Sequence, residues 1–223
     1  MEEKPIIAVI GGTGSEGGGL ALRMAHAGFP VVVGSRDAAK AQAAAEAINQ
    51  RIGREAARGA DSATAAARAS IVVLTVPYAG QLATATAIAG ALAGKILIDA
   101  TVPLVPPKVS RVQLPDGGSA VANLQKVLGN TVRVVAAFQN VSAHHLSDLD
   151  HGVDCDVLVC GDDSAACDTV IGIVDAIGLR GIYAGAACNA AAVEAMTSVL
   201  IAINRRYKVP GAGIRVTGVP HIA

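Results

Sequence analysis

The sequence predicts an α/β fold, a doubly wound parallel sheet followed by a smaller α/β portion that ends in a long apolar helix. Three observations carry that expectation. Short runs rich in Val and Ile recur along the chain, unbroken by polar residues, as strands buried on both faces require. Ala-rich stretches with helical spacing lie between them. A glycine fingerprint sits at the first strand-to-helix junction.

The first unit runs from Ile6 to Arg36. Ile6–Ile10 reads as a buried strand, and Gly12-Thr13-Gly14-Ser15-Glu16-Gly17 follows it as Gly-x-Gly-x-x-Gly. Leu20, Leu22, Met24 and Ala25 then recur as on one helix, Gly28 closes it, and Val31–Val33 forms the second strand. Within such a β-α-β unit the glycines have distinct work. Gly12 permits a tight turn, Gly14 lets a pyrophosphate approach the backbone, and Gly17 lets helix and strand pack closely. The helix start presents free N–H groups and a partial positive charge to the phosphates. The segment is therefore expected to be a Rossmann dinucleotide site, with an ordinary Gly-rich turn as the alternative.

The end of the second strand bears on which dinucleotide is held. NAD sites place an Asp or Glu there to accept from the ribose 2′-hydroxyl. Here the residues are Gly34-Ser35-Arg36, with Lys40 one helical turn further on. Asp37 comes one residue late and reads as the start of the next helix. A guanidinium with a hydroxyl and an ammonium suits a 2′-phosphate, so Thr13, Ser35, Arg36 and Lys40 favour NADP(H) over NAD(H). The competing reading is a solvated helix start with unrelated charges.

Asp37–Arg51 is expected to be helical, Arg54–Gly59 a short strand, and Asp61 the cap of a helix through Arg68. Ile71–Val76 is a strand ending at Pro77-Tyr78, Gly80–Leu92 a helix, and Lys95–Asp99 another buried strand. Ala100–Ser119 breaks this rhythm with Pro103, Pro106, Pro107, Pro115, Gly117 and Gly118, so a long functional loop is expected. Ser119–Leu128 is read as helix, Val132–Ala137 as strand, Asp156–Cys160 as strand, the stretch after Asp163 through Gly178 as helix, and Arg180–Tyr183 as strand. Asn189–Tyr207 closes the chain as a helix apolar on more than one face, which predicts a homodimer through it.

Composition narrows the function. The 223 residues are 52% hydrophobic and 16% charged, with zero formal net charge and 2% aromatics, which supplies a core but neither a phosphate-neutralising face nor stacking rings for nucleic acid. No apolar run is read as reaching transmembrane length and the N-terminus does not read as a signal peptide, so no membrane partner is expected and the cytoplasm is the expected location. Cys155, Cys160, Cys167 and Cys188 form no metal-ligand spacing, and Cys155 and Cys160, at the apolar run Val157–Val159, read as buried small hydrophobes; His144-His145 reads as a polar helix start. No metal site is expected.

Beyond the fingerprint, the chain resembles the NADPH-dependent reductases of the deazaflavin coenzyme F420, over roughly residues 6–218. The resemblance is carried by Gly11-Gly12-Thr13-Gly14, Gly34-Ser35-Arg36 with Lys40, Leu74-Thr75-Val76-Pro77 and Val102-Pro103-Leu104-Val105-Pro106. Val159-Cys160-Gly161-Asp162-Asp163, Val193-Glu194-Ala195-Met196-Thr197 and Ile203-Asn204-Arg205-Arg206-Tyr207 extend it. A more distant likeness is to the NADPH-flavin domain of membrane ferrireductases. The resemblance implies an NADP-binding domain over 1–140 and a smaller deazaflavin-side domain over 141–223. It also implies hydride transfer between NADP(H) and coenzyme F420, and a dimer. Ser15 and Glu16 would join the nucleotide turn. Thr75, Val76, Pro77, Tyr78, Val102 and Pro103 would form the nicotinamide floor, and Gln139, Asn140 and Thr197 the deazaflavin side. Pro77 and Pro103 have the plainer reading of strand stops, and Glu194 that of a satisfied polar group in a dimer interface. The chain departs from some members in having Tyr78 where they carry Trp, and Gln139 where they carry His.

Hydride transfer between stacked heterocycles needs mainly that the reacting carbons be held about 3–3.5 Å apart with water excluded. No catalytic side chain is therefore expected, and the sequence offers no evident acid-base pair. One rival is an NADP-dependent reductase of a flavin or of a small carbonyl or imine; a carbonyl enzyme would need an acid such as Lys108, Tyr78 or His144. The other is a non-enzymatic NADPH-sensing protein that uses Ala100–Ser119 as a switch.

Overall fold

The central strands form because their residues cannot be satisfied in water. β1 (Ile7–Ile10), β4 (Ile71–Leu74) and β5 (Ile96–Asp99) are buried at every position. The computed structural model describes residues 4–150 and 152–219. After β1 come α1 (Ser15–His26), β2 (Val31–Ser35), α2 (Ala38–Ile52), β3 (Ala57–Asp61) and α3 (Ser62–Arg68). β4 leads to α4 (Tyr78–Ala87), β5 to α5 (Ala120–Leu128), and β6 (Arg133–Ala136) to the four-residue α6 (Ala143–Leu146). β7 (Asp156–Gly161), α7 (Ser164–Ala176), β8 (Arg180–Tyr183) and α8 (Ala190–Tyr207) complete the fold.

The strands form one eight-stranded sheet in the order β3-β2-β1-β4-β5-β6-β7-β8. Alternate residues of β1 feed opposite layers: Ile7 and Val9 pack toward α1 and α7, Ala8 and Ile10 toward α3 and α5. The order reverses between β1 and β4, so a crevice opens at the carboxyl ends of those two strands. Helix starts are capped where the sequence places short polar residues. Asp37 accepts from the Ala39 and Lys40 amides, Asp61 from Thr64, and Asp163 from Ala166.

One pairing departs from the expected parallel sheet. β7 runs antiparallel to β6, and only Val135–Ala136 and Cys160–Gly161 pair. A parallel return needs a crossover, usually a helix, to carry the chain back to the amino edge. Here the connection carries only the short α6 and packs along α1, where the Arg23 guanidinium donates to the Leu146 and His145 carbonyls at 3.0 and 2.9 Å. The first residues of β7, with β8 parallel beside them, consequently stand beyond the carboxyl edge of the main sheet.

The expectation that no segment is long enough to span a membrane also needs correction. Ala187–Tyr207, α8 with its preceding turn, is long and apolar enough by length and composition, because alanines raise its average without forming an unbroken run. Within the fold this helix carries Glu194, 1% exposed, against the start of α5.

Candidate functional site

β1 ends in a backbone turn built by glycine. Gly11 has φ +85°, its amide donates to the Gly34 carbonyl at 3.0 Å, and Gly14 donates back to Gly11 at 2.9 Å. A side chain on Gly12 would start 2.8 Å from the Val9 carbonyl, and one on Gly17 would start 2.4 Å from Thr75 Oγ1 and 2.6 Å from the Gly11 carbonyl. Gly14 is less crowded: a methyl added there would meet only the Gly11 carbonyl, at a close 3.3 Å. No side chain caps α1, so the amides of its first turn keep their capacity for an anion.

This turn forms one wall of a cleft of about 380 Å³. Thr13 and Gly14 face Ser35 and Arg36 across it, and Thr75, Val76 and Pro77 complete the floor. Thr75 is fixed by donating its hydroxyl to the Ile10 carbonyl at 2.9 Å. The side chains of Arg36 and Lys40 are exposed and engage no partner among the described residues. A less crowded glycine, an uncapped helix start and two unengaged cations fit the pyrophosphate and 2′-phosphate of NADP(H).

Other expected residues are placed differently. Ser15 is exposed at the first position of α1. Tyr78 begins α4 and lines a neighbouring cleft with Leu82, Asn123 and Val127. Val102 is half-buried and Pro103 buried, just after β5. Gln139 and Asn140 are 3% and 2% exposed, and their donors are engaged within the protein. Gln139 Nε2 donates to the Asp99 carbonyl at 2.7 Å and Asn140 Nδ2 to the Asp156 carbonyl at 2.6 Å. Thr197 donates to the Gln139 carbonyl at 2.7 Å, tying α8 to the end of β6. Only Gln139 Oε1 and Asn140 Oδ1 are left without a hydrogen bond, so these residues offer acceptors rather than donors.

Phe138 turns this segment inward by adopting φ +76° while fully buried, a conformation costly for a bulky residue.

Burial adds two acidic groups near the carboxyl edge to the sequence reading. Asp99, fully buried at the end of β5, accepts from the Thr101 amide at 2.9 Å and from Gln81 Nε2. Burial raises its pKa, against the lowering effect of these hydrogen bonds. Half-buried Glu16, the second residue of α1, is pushed up to about 8 by burial and by the charge of Asp99. Asp99 and Gln81 were missed because they read as a strand end and a helix surface. The available signal was an Asp closing the apolar run Ile96-Leu97-Ile98 directly before Ala100-Thr101-Val102-Pro103.

Glu194 settles as a satisfied group inside the subunit, not in an interface. It accepts from Ser119 Oγ at 2.6 Å and from the Ala120 and Val121 amides at 2.8 and 3.1 Å, capping α5. Burial raises its pKa as well.

Residues 6–103 match the family described as NADP oxidoreductase, coenzyme F420-dependent. The chain is 42% identical to the F420-dependent NADP reductase of Methanothermobacter marburgensis over 221 residues, covering 96% of this chain and 99% of that protein. It is 40% identical to the F420-dependent NADP reductase of Methanocaldococcus jannaschii, covering 95% and 97%. Among solved structures, a hypothetical protein of Sinorhizobium meliloti is similar in fold, with a TM-score of 0.67 at 20% identity over 85% of this chain and 87% of that one.

Proposed function

The chain belongs to the coenzyme F420-dependent NADP oxidoreductases and moves a hydride between NADP(H) and F420; we propose that it does so in the cleft at the carboxyl ends of β1, β2 and β4. The observation that carries this placement is the less crowded backbone at Gly14 facing the unengaged Arg36 across that cleft. Gly12, Thr13, Gly14, Ser15, Glu16 and Gly17 would form the pyrophosphate turn, with Ser35, Arg36 and Lys40 taking the 2′-phosphate. Thr75, Val76, Pro77, Tyr78, Val102 and Pro103 would support the nicotinamide. On this reading 1–140 is the NADP-binding part, and 141–223 supplies the wall against which F420 stacks, with Gln139, Asn140 and Thr197 at its base.

NADP(H) and F420 supply the hydride chemistry, and the chain supplies alignment and exclusion of water. Buried Gln139 and half-buried Thr197 brace the end of β6, while Thr75 braces the glycine turn, so both sides of the cleft rest on hydrogen-bonded backbone. The enzyme is proposed to be a cytoplasmic homodimer joined through α8, without membrane or nucleic-acid partners. The seat of Glu194 in the α5 cap supports packing of α8 within the fold. Oxidation of NADPH on addition of oxidised F420, compared with free flavins and with small carbonyls and imines, tests the reading. Turnover is expected with F420 alone at high efficiency, and preference for a carbonyl or imine would overturn it.

A further inference from the structure

Asp99 stands where the two halves of the proposed site meet. It closes β5, paired in register with Leu74 of β4 on one side and Ala136 of β6 on the other. Leu74 runs directly into Thr75, Val76 and Pro77, which line the nucleotide cleft. Ala136 runs into the turn at Phe138 that seats Gln139 and Asn140. The Asp99 side chain is fully buried. A buried carboxyl group is costly unless its oxygens accept hydrogen bonds.

Both oxygens do, and each reaches a different segment. Oδ1 accepts from the Thr101 amide at 2.9 Å, shaping the turn that leads into Val102-Pro103. Oδ2 accepts from Nε2 of Gln81, which is 4% exposed on the inner face of α4. The neighbouring face of that helix presents Gly80 and Thr84 to the nucleotide cleft, so this bond sets how close the cleft wall lies to the sheet. The Asp99 carbonyl accepts from Gln139 Nε2 at 2.7 Å, and the Gln139 carbonyl in turn accepts from Thr197 on α8 at 2.7 Å. Thr101 Oγ1 and Gln139 Oε1, buried beside these bonds, have no hydrogen-bond partner among the described residues, so the framework holds no spare side-chain link.

We propose that Asp99 is a positioning residue for hydride transfer: its carboxyl locks α4 and the turn after β5 to the strand that carries the end of β6, and so fixes the spacing of the two stacked rings. The inference rests on the site placement proposed above. Asp99 acts through Gln81 and Thr101, touching neither ring and moving no proton. Reacting carbons must be held about 3–3.5 Å apart, and a misplacement of about 1 Å costs roughly 100-fold in rate. The phosphates are assigned to the glycine turn and the start of α2, which Asp99 does not contact, so its loss should fall on the transfer step and spare nucleotide affinity.

The test compares Asp99→Ala, Asp99→Asn and Gln81→Met in the full chain. Asn keeps an acceptor for the Thr101 amide and can still pair with the Gln81 amide, whereas Met fills the Gln81 site and cuts the α4 bond from the other side. Single-turnover reduction of F420 by NADPH should slow about 30- to 100-fold in Asp99→Ala and about 10-fold in Gln81→Met, with the NADPH dissociation constant changed less than about threefold. NADPH deuterated at the transferred position should show an isotope effect that depends more steeply on temperature in both variants. Asp99→Asn should return the rate to within about threefold of the parent. In the protein without nucleotide, hydrogen exchange across Tyr78–Ala87 should quicken in Asp99→Ala and Gln81→Met but not in Asp99→Asn. Parent-like transfer in Asp99→Ala, parallel losses of rate and NADPH affinity, or an Asn variant as slow as the Ala variant would each overturn the inference. Should Asp99→Ala fail to fold, Gln81→Met decides by the same rate, affinity and exchange measurements. Failure of the parent protein to bind NADPH or to reduce F420 would instead overturn the site placement itself.

Discussion

Thr75 Oγ1 occupies the space that a side chain on Gly17 would need, 2.4 Å from the position of its first carbon. The hydroxyl cannot retreat, because it is bonded to the Ile10 carbonyl, and the Gly11 carbonyl blocks the other side at 2.6 Å. Gly17→Ala should therefore cost about 3 kcal/mol or more, read by chemical denaturation. Gly14 has no such neighbour. Gly14→Val should stay within about 1 kcal/mol of the parent while abolishing NADP(H) binding, and comparable destabilisation of the two variants would refute this division of roles.

Arg36 is exposed and unengaged, so its removal should leave the fold unchanged. A charge-assisted contact to the 2′-phosphate is worth about 1.5–3 kcal/mol, roughly 10- to 100-fold in affinity. Arg36→Ala should weaken NADPH by that factor and NADH hardly at all. Equal losses for the two nucleotides would show that Arg36 does not hold the 2′-phosphate.

Glu194 satisfies three donors at the buried start of α5. Glu194→Ala strands Ser119 and two amides away from water, and should lower unfolding free energy by roughly 3–5 kcal/mol. Substitution of the exposed Glu46 on α2 should change it by less than about 0.5 kcal/mol. A small effect at Glu194 would mean that α5 is not anchored by this cap.

The raised pKa of Glu16 makes stability depend on pH with a definite sign. In the unfolded chain the group ionises near its ordinary value of 4.5, whereas in the fold it holds its proton to about 8. Between those values the folded state binds more protons, so this residue's contribution to stability falls as pH rises. Glu16→Gln should gain on the parent progressively between pH 4.5 and 8, by up to about 5 kcal/mol for the full shift, with little change below pH 4. A pH-independent difference would mean that Glu16 ionises normally.

α8 leaves an apolar stripe exposed on one side, with Val199 42% and Ile203 36% exposed and Ala192 and Ala202 on the same face. If the homodimer uses that stripe, sedimentation should give a dimer at micromolar concentration. Replacing Val199 and Ile203 together with Glu should give a folded monomer. A monomeric parent protein would place the interface elsewhere or remove it.

Much of the site's nucleotide end was legible because its chemistry is local. Gly12 to Gly17 are contiguous, and Ser35, Arg36 and Lys40 follow the next strand in a fixed order, so periodicity alone brings them to one edge. The far end was less legible. Gln139 and Asn140 looked like ring contacts because they follow a strand, yet the turn at Phe138 directs their donors into the protein. Glu194 looked like an interface residue until the cap of α5, some 75 positions earlier, accounted for its oxygens.

Residue order alone was enough for the α/β layering, the glycine turn and the two cations that follow the second strand, since each depends on residues within one turn or strand of each other. The direction of β7, the inward seats of Gln139, Asn140 and Glu194, and the acidity of Glu16 and Asp99 emerged only in the packed fold. Direction is set by where a connection can dock, which a pattern of apolar residues does not record. A pKa is set by water lost and charges gained, and Glu16 meets Asp99 only after more than eighty intervening residues have folded between them.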